Sequence, residues 1–317
     1  MIRIHRAGGL KPMTPRPGWR PEADVVWIDL FQPSREEELI VEAALGLQIP
    51  TREEMAALEE SSRLYRSNGA TFVVADLLKN GDDEAPELEG VTCVLTKGPV
   101  ITIRYFDPKP VQAVWDRLLA EPAACVHGSD VFLAIMEAAI DRLSAVLRRV
   151  DDRVEGIAQE IFSGGRTGGF AGLIARLGRA HIATARIEES LAGLSRIFVY
   201  VGLDGGMDRN RAVREHLRSL RGDAESLNAH AEAVAANIEF QLNAALGLIN
   251  VEQSAIIKIF SVAAAAFLPP TLIASIYGMN FEHMPELSRP WAYPAALLAM
   301  VASAVLPLLW FRRKGWI

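Results

Sequence analysis

The chain has 317 residues, of which 50% are hydrophobic and 23% charged, a composition that excludes a disordered or collagen-like protein. Its formal net charge of −6 argues against a nucleic-acid-binding protein, which needs a basic face. Two cysteines, Cys93 and Cys125, are too few for a disulfide framework or a cysteine-based zinc site. We therefore expect a folded chain in two parts, with structural thiols.

The first part, residues 1–128, predicts one α/β domain. Its opening, 1–10, is basic but has no apolar run behind it, so we expect no secretory signal there. Two patterns typical of capped helices begin at Ser34 and Thr51 and predict helices over 34–45 and 51–60. Short β-branched segments bounded by turn residues predict strands of one sheet at 25–30, 71–78, 91–96 and 98–104.

Residues 129–253 change to long segments rich in Ala and Leu. They predict helices over about 129–162, 170–200 and 208–253, separated by glycine-rich breaks at 163–169 and 202–206. The first break lacks the Gly-Lys-Ser/Thr ending of a phosphate-binding loop, so we interpret it as a turn. The third helix meets no breaker before Pro269-Pro270. We expect it to continue into a membrane as a stalk, with a local bend at the prolines.

Two uncharged segments near the end of the chain, 259–281 and 290–311, are each long enough to cross a hydrocarbon core of about 30 Å. We assign membrane helices to 254–281 and 291–312, an external loop to 282–290 and a basic tail to 313–317. Two buried helices of a soluble protein are the alternative interpretation. The residue pattern favours the membrane because aromatic and basic side chains mark the segment ends, at Trp291, Tyr293 and Trp310 and at 312–314.

Basic residues flank the two segments on one side. From residue 254 onward the sequence has five bases and two acids, a net charge of +3, which leaves −9 for the part before it. Lys258 precedes the first segment and Arg312, Arg313 and Lys314 follow the second, whereas the loop holds both acids. We therefore expect both termini in the cytoplasm.

The residues around these segments carry a resemblance. Gly278-Met279-Asn280 ends the first segment, Met284-Pro285-Glu286-Leu287 lies in the loop, and Phe311-Arg312-Arg313-Lys314-Gly315-Trp316-Ile317 ends the chain. This pattern closely resembles the CorA family of magnesium transporters, whose signature is Gly-Met-Asn at the outer end of the first of two C-terminal membrane helices. The resemblance extends through 27–30, 49–55, 249–253 and 258–260, and so spans essentially the whole chain.

The resemblance implies an α+β protein with an N-terminal cytoplasmic αβα domain. A long stalk helix continues into the first membrane helix, and five identical subunits form a homopentameric funnel in the cytoplasmic (inner) membrane. It implies influx of Mg²⁺, with Co²⁺ and Ni²⁺ as further ions, gated by intracellular Mg²⁺ and without an organic cofactor. Independently of the resemblance, two helices cannot enclose a pore, so a conduction path requires a ring of subunits in the lipid bilayer.

Residues of the first membrane helix provide the expected ion pathway. Gly278, Met279 and Asn280 are the expected selectivity filter, in which the neutral carbonyl oxygen of Asn280 would contact hydrated Mg²⁺. Helix C-capping is the alternative role for Asn280. Residues spaced by three and four trace one face that matches the family's pore positions: Ser254, Ile257, Phe260, Ala264, Leu268, Thr271 and Ser275. For the bulky apolar members, helix packing is the alternative role.

Acidic residues provide two further expectations. Glu282 and Glu286 would attract cations at the outer mouth, unless they are simply solvated loop charges. Asp223 and Glu225 on the stalk are guesses for regulatory Mg²⁺ ligands, a role that the family implies without fixing the positions. The six histidines lack metal-ligand spacing and are expected at surface or packing positions: His5, His127, His181, His216, His230 and His283.

Two other functions are alternatives to a Mg²⁺ channel. The first is a Zn²⁺ transporter of the same superfamily, but such relatives usually carry Gly-Ile-Asn and lack the glutamate of this loop. The second is a membrane-anchored soluble enzyme. The predicted strand ends have no glycine-rich cofactor loop, no Ser/Cys-His arrangement and no paired-carboxylate motif, so we expect no enzymatic activity.

Overall fold

The computed structural model describes residues 1–7, 9–10, 15–57, 63–83, 85–163, 169–204, 211–280 and 284–316. The chain divides into two compact units, Met1–Leu242 and Asn243–Ile317. We call them unit 1 and unit 2 and describe each by itself.

Unit 1 contains a seven-stranded sheet. Its strands are β1 Ile2–Arg6, β2 Gly9–Leu10, β3 Val25–Phe31, β4 Leu64–Ser67, β5 Ala70–Lys79, β6 Glu87–Leu95 and β7 Val100–Arg104. They lie in the order β2-β1-β3-β7-β6-β5-β4. Only β3 and β7 are parallel among these neighbours. The four predicted strands are confirmed, and the sequence analysis missed β1, β2 and β4.

Short helices surround the sheet: α1 Arg35–Leu45, α2 Arg52–Ala57 and α3 Lys109–Ala120. The capping pattern at Ser34 forms as predicted, because the Glu37 amide donates to Ser34 Oγ at 3.3 Å and the Ser34 amide donates to Glu37 Oε2 at 2.9 Å. The structure describes the second predicted helix as far as Ala57, and 58–60 lie outside the described residues. Helix α3 was not predicted.

The two faces of the sheet are buried against different helices. Val41 of α1 packs in a core with Ile28, Leu30 and Phe72. On β3 the alternate residue Trp27 instead stacks on Trp115 of α3, with ring centroids 4.2 Å apart. This alternation follows from the two-residue period of a strand. It places helices on both faces and gives the predicted αβα layering.

Three long helices follow: α4 Gly128–Ser163, α5 Gly169–Asp204 and α6 Arg211–Tyr277. The predicted break at 202–206 is wrong at its start, because α5 continues through Gly202 to Asp204. Within unit 1, the buried residues of α6 recur at spacings of four and three, with one of seven between Ala224 and Ala231, which is the heptad pattern of a coiled-coil seam. They are Val213, Leu217, Leu220, Ala224, Ala231, Val234, Ile238 and Gln241.

Unit 2 holds the last part of α6 and helix α7 Ala292–Arg313. Helix α6 has 67 residues, α7 has 22, and each contains an apolar window, of mean hydropathy 1.9 and 2.0, that is long enough to cross a membrane and is not buried within the chain. Helix α6 continues through Pro269 and Pro270 to Tyr277. A proline has no amide hydrogen, so the carbonyls of Ala265 and Ala266 lose their usual helical donors.

Candidate ion pathway

The Gly278-Met279-Asn280 motif lies directly after the last residue of α6. The Gly278 amide donates to the Ala274 carbonyl at 2.9 Å, and the Met279 amide donates to the Ile276 carbonyl at 3.3 Å. A Cβ on residue 278 would lie 3.2 Å from the Ala274 carbonyl oxygen. Glycine therefore lets the backbone pass close to the last turn as it leaves the helix, where a larger side chain would crowd the Ala274 carbonyl.

Asn280 is exposed, three residues beyond the end of the helix. The amides of Gly278 and Met279 already bond the last helical carbonyls, so the helix end does not depend on the Asn280 side chain. Its amide oxygen is therefore available to a ligand. Met279, 49% exposed, separates the glycine from this oxygen.

The predicted pore face is uncovered within the chain. Its bulky apolar members, Ile257, Phe260 and Leu268, are 63%, 71% and 67% exposed. The other members of the face, Ser254, Ala264, Thr271 and Ser275, are exposed as well. An apolar helix face of this kind needs a partner or a membrane to remove it from water.

The opposite side of the same helix is partly buried. Val262, Ala266, Pro269 and Ile273 are intermediate in exposure, at spacings of four and three. Helical geometry at 100° per residue places them on the side away from Phe260 and Ala264. The chain therefore covers one side of the first span and leaves the predicted pore face free.

Two hydroxyl groups of the pore face donate to their own helix. Ser254 Oγ donates to the Asn250 carbonyl at 2.7 Å, and Thr271 Oγ1 donates to the Phe267 carbonyl at 2.6 Å. Because each hydroxyl proton is used in this way, the oxygen presents its remaining lone pairs outward. Such oxygens can accept hydrogen bonds from the water shell of a cation.

Of the two acids predicted at the outer mouth, only Glu286 lies in the part of the chain that the structure describes. Glu282 lies outside the described residues, as does His283. Glu286 is exposed in a turn, where its carbonyl accepts a bond of 3.1 Å from the Arg289 amide. Its carboxylate is therefore free to add negative charge at this end of α7.

The two guessed regulatory acids lie on different faces of α6. Asp223 lines a cavity of about 490 Å³ in unit 1, together with Glu137, Asp141 and His230. Glu225 instead pairs with Arg221 on its own helix at 2.7 Å. The described residues hold no group of three His, Cys, Asp or Glu side chains close enough to bind a metal ion. The structure therefore places Asp223 near other acidic residues, whereas Glu225 lies next to a basic one.

Sequence reasoning missed a contact at the other end of unit 2. Lys258 Nζ lies 5.9 Å from the centroid of the Trp316 ring. The basic and aromatic residues of this end predict the boundary of a membrane segment, but nothing in their spacing predicts that the two helices meet there. A second feature that was missed is a cavity of about 400 Å³ near the motif, lined by Tyr277 and Gly278 of the first span and by Tyr293 and Met300 of the second.

An α/β unit followed by two apolar helices, each long enough to cross a membrane, with Gly-Met-Asn at the end of the first, fits the class of membrane proteins. The family described as CorA-like Mg²⁺ transporter protein matches residues 22–313. The chain belongs to this family, and it is a transporter rather than an enzyme.

Individual relatives agree with this assignment. The chain is 31% identical over 312 residues to the magnesium transport protein CorA of Wolinella succinogenes, and the match covers 93% of this chain and 92% of that protein. It is 30% identical over 300 residues to the CorA protein of Salmonella typhimurium, with coverage of 93% and 92%.

Solved structures agree in fold. The CorA magnesium transporter from Methanocaldococcus jannaschii has a TM-score of 0.78 at 18% identity, covering 100% of this chain and 98% of that one. The full-length CmaX protein has a TM-score of 0.74 at 16% identity, covering 99% and 97%. The predicted fold class is therefore confirmed.

Proposed function

We propose that this chain forms a homopentameric channel for Mg²⁺ influx across the cytoplasmic membrane. Residues 254–281 and 291–312 span the bilayer, 282–290 face outward, and 1–253 and 313–317 lie in the cytoplasm. The observation that carries the proposal is Gly278-Met279-Asn280 at the end of a membrane helix, in a chain of the CorA-like family. The exposed pore face supports a ring of subunits, because one chain cannot enclose a path.

The filter would act on hydrated ions. Mg²⁺ holds its water octahedrally and gives it up reluctantly, so oxygens that bond the water shell form a better site than oxygens that replace it. A ring of Asn280 amide oxygens attracts a hydrated dication and still releases it, whereas a carboxylate ring would hold it more tightly. Selection at the mouth thus depends on a neutral oxygen.

The lower part of the pore would act as the gate. Ile257, Phe260 and Leu268 are apolar and exposed towards the proposed axis, and a ring of such side chains excludes water and ions when it is narrow. The inside-negative potential drives entry, since a dication gains about 4.6 kcal/mol per 100 mV. No chemical energy source is needed.

The decisive experiment is Mg²⁺ uptake into proteoliposomes by the Asn280→Ala variant. We expect uptake to be lost while the oligomer elutes as the wild type does, because the side chain serves the ion and not the helix end. Asn237→Ala, an exposed asparagine of the same helix on the side away from the pore face, is the matched control and should transport normally. Wild-type flux through Asn280→Ala would contradict the filter assignment. Competition with Co²⁺, Ni²⁺ and Zn²⁺ in the same vesicles separates a Mg²⁺ channel from a Zn²⁺ transporter.

Intracellular Mg²⁺ would regulate the gate. Acidic residues such as Asp223 repel their counterparts on neighbouring subunits, and bound Mg²⁺ would offset this repulsion and hold the ring closed. Helix α6 includes both Asp223 and Phe260, so loosening of the cytoplasmic ring would widen the constriction. Chelation of Mg²⁺ should then accelerate limited proteolysis of the full-length protein. Unchanged cleavage would refute this regulation but leave the pore assignment intact.

A further inference from the structure

The chain end in unit 2 folds back onto its own helix. The Trp316 amide donates to the Phe311 carbonyl at 3.0 Å and the Gly315 amide donates to the Arg312 carbonyl at 3.1 Å, the two bonds of a Schellman motif. Gly315 has a φ of 70°, a left-handed conformation that glycine adopts without strain. The turn stacks the Trp316 ring on the Phe311 ring at 5.1 Å.

This turn brings Trp316 to a lysine of the other helix. Lys258, on α6, lies with its Nζ 5.9 Å from the Trp316 ring centroid. Lys314 lies with its Nζ 5.6 Å from the ring centroid of Trp310. Arg312 and Arg313 are exposed in the last turn of α7. We call Lys258, Arg312, Arg313, Lys314 and Trp316 the rim cluster.

The rim cluster has four positively charged side chains and no acidic side chain close to them in the sequence. The sequence contains no Asp or Glu between Glu252 and Glu282, and none after Glu286. Glu252 lies six residues before Lys258, about 9 Å along the helix axis. Glu286 precedes the far end of α7. Cation–π contacts with tryptophan orient both lysines but do not neutralise them.

We propose that the rim cluster binds the phosphate of an anionic phospholipid in the cytoplasmic leaflet; this rests on the membrane orientation in the proposed function. Both elements of the cluster end apolar spans, where lipid headgroups would lie. Lysine and arginine donate charge-assisted hydrogen bonds to phosphate oxygens. The exposed indole of Trp316 suits the boundary between headgroup and acyl chain.

The site goes beyond general attraction of bases to a negative membrane, because its geometry depends on the turn at Gly315. A lipid phosphate between Lys258 and the tail would contact both spans at once. It would therefore hold the first span, which carries the pore face, against the second. The charge of the four bases supplies attraction, and the turn supplies the position of Trp316, whose ring contacts Lys258.

The test uses the full-length protein in bilayers of phosphatidylcholine that contain a minor fraction of brominated phosphatidylglycerol or, in parallel, brominated phosphatidylcholine. Bromine quenches nearby tryptophan, and the signal of the rim is the part removed by Trp316→Phe. We expect stronger rim quenching by the anionic lipid. Removal of one base near an anionic surface weakens binding about fivefold, so Lys258→Gln should reduce the preference by that factor and Lys258→Arg should keep it.

Two further variants make the result decisive. Arg289→Gln removes a base at the opposite end of α7 and should change nothing. Gly315→Ala keeps all four bases but strains the turn, and it should lower the preference as Lys258→Gln does. Equal quenching by both lipids, an equal loss in Arg289→Gln, or full preference in Gly315→Ala would each overturn the proposal.

The outcomes also distinguish failure of the proposed lipid site from failure of the proposed membrane insertion. If inorganic phosphate in the buffer abolishes the preference, the cluster is a site for free phosphate and the lipid assignment is wrong. If neither brominated lipid quenches the protein, the chain is not inserted as proposed and the membrane assignment itself fails. Mg²⁺ uptake is not part of the readout, so loss of transport has no bearing on the result.

Discussion

Arg104 and Asp29 form an ion pair in which both side chains are fully buried. Arg104 Nε donates to Asp29 Oδ1 at 3.0 Å and Nη2 donates to Oδ2 at 2.9 Å. The hydroxyl of Thr102 also donates to Oδ1, at 2.7 Å. Burial by itself lowers the pKa of Arg104, but the hydrogen bonds and charges of Asp29 and Asp107 together outweigh it and raise the pKa. The pair links the parallel strands β3 and β7 in the centre of the sheet.

Breaking this pair should cost the α/β unit much of its stability. Arg104→Met leaves the Asp29 carboxylate buried without a counter-charge, and we expect a loss on the order of 3–5 kcal/mol. Arg211→Met removes an exposed pair with Glu215 and should cost less than about 1 kcal/mol. Urea unfolding of the full-length protein, followed by near-ultraviolet circular dichroism, measures both. Similar losses in the two variants would contradict a structural role for the buried pair.

His5 should make the α/β unit less stable in mild acid. The side chain is fully buried on β1, and burial lowers its pKa from the ordinary 6.5, an effect that the Pro122 carbonyl partly offsets. The unfolded chain therefore binds a proton below about pH 6.5 that the folded chain does not yet bind. Stability is fully present above that pH and is lost as the pH falls towards the folded pKa.

Melting temperatures between pH 7.5 and 5 test the role of His5. The His5→Gln variant should lose part of the pH dependence, even if it is less stable throughout. His181→Gln, which replaces an exposed histidine, should keep the wild-type slope. A wild-type slope in His5→Gln would show that other groups cause the acid sensitivity.

The side chain of Phe260 should be needed to close the pore. Phe260→Ala removes a large apolar group from the proposed constriction, so a closed channel should wet and leak Mg²⁺ even at high internal Mg²⁺. Ile259→Ala is the matched control, because Ile259 is also exposed, at 69%, but points to another side of the helix. Flux assays on loaded vesicles measure the leak. An equal leak in both variants would indicate damage to helix packing.

Glu282 and Glu286 should attract Mg²⁺ through their electrostatic field and not as direct ligands. In the Glu282→Gln, Glu286→Gln double variant, we expect a loss of apparent Mg²⁺ affinity on the order of tenfold at low ionic strength. The effect should shrink at about 0.1 M salt, where charges are screened over about 10 Å. Uptake measured at several salt concentrations distinguishes electrostatic attraction from direct ligation. A loss of the same size at every concentration would indicate direct ligation of the ion.

The two apolar helices and the motif at their junction, 278–280, could be predicted from the sequence by itself, because they depend on hydropathy and on local residue order. The pore face follows from the 3.6-residue period of a helix and stays a prediction. The same local patterns predicted the strands at 25–30 and 98–104, and the cap at Ser34. They failed where the signal was weak, as for the short β4 and for the basic residues that form β1.

Only the tertiary structure decided which distant residues meet. Arg104 and Asp29 are separated by 75 positions, and their pairing requires β7 to lie parallel to β3. Lys258 and Trp316 meet only because a second span returns along the first and a glycine turns the chain end back. Asp223 and Glu225 look equivalent in the sequence, but the packing of α6 in unit 1 gives them different neighbours. Such contacts depend on the path of the whole backbone, which no local pattern of side chains specifies.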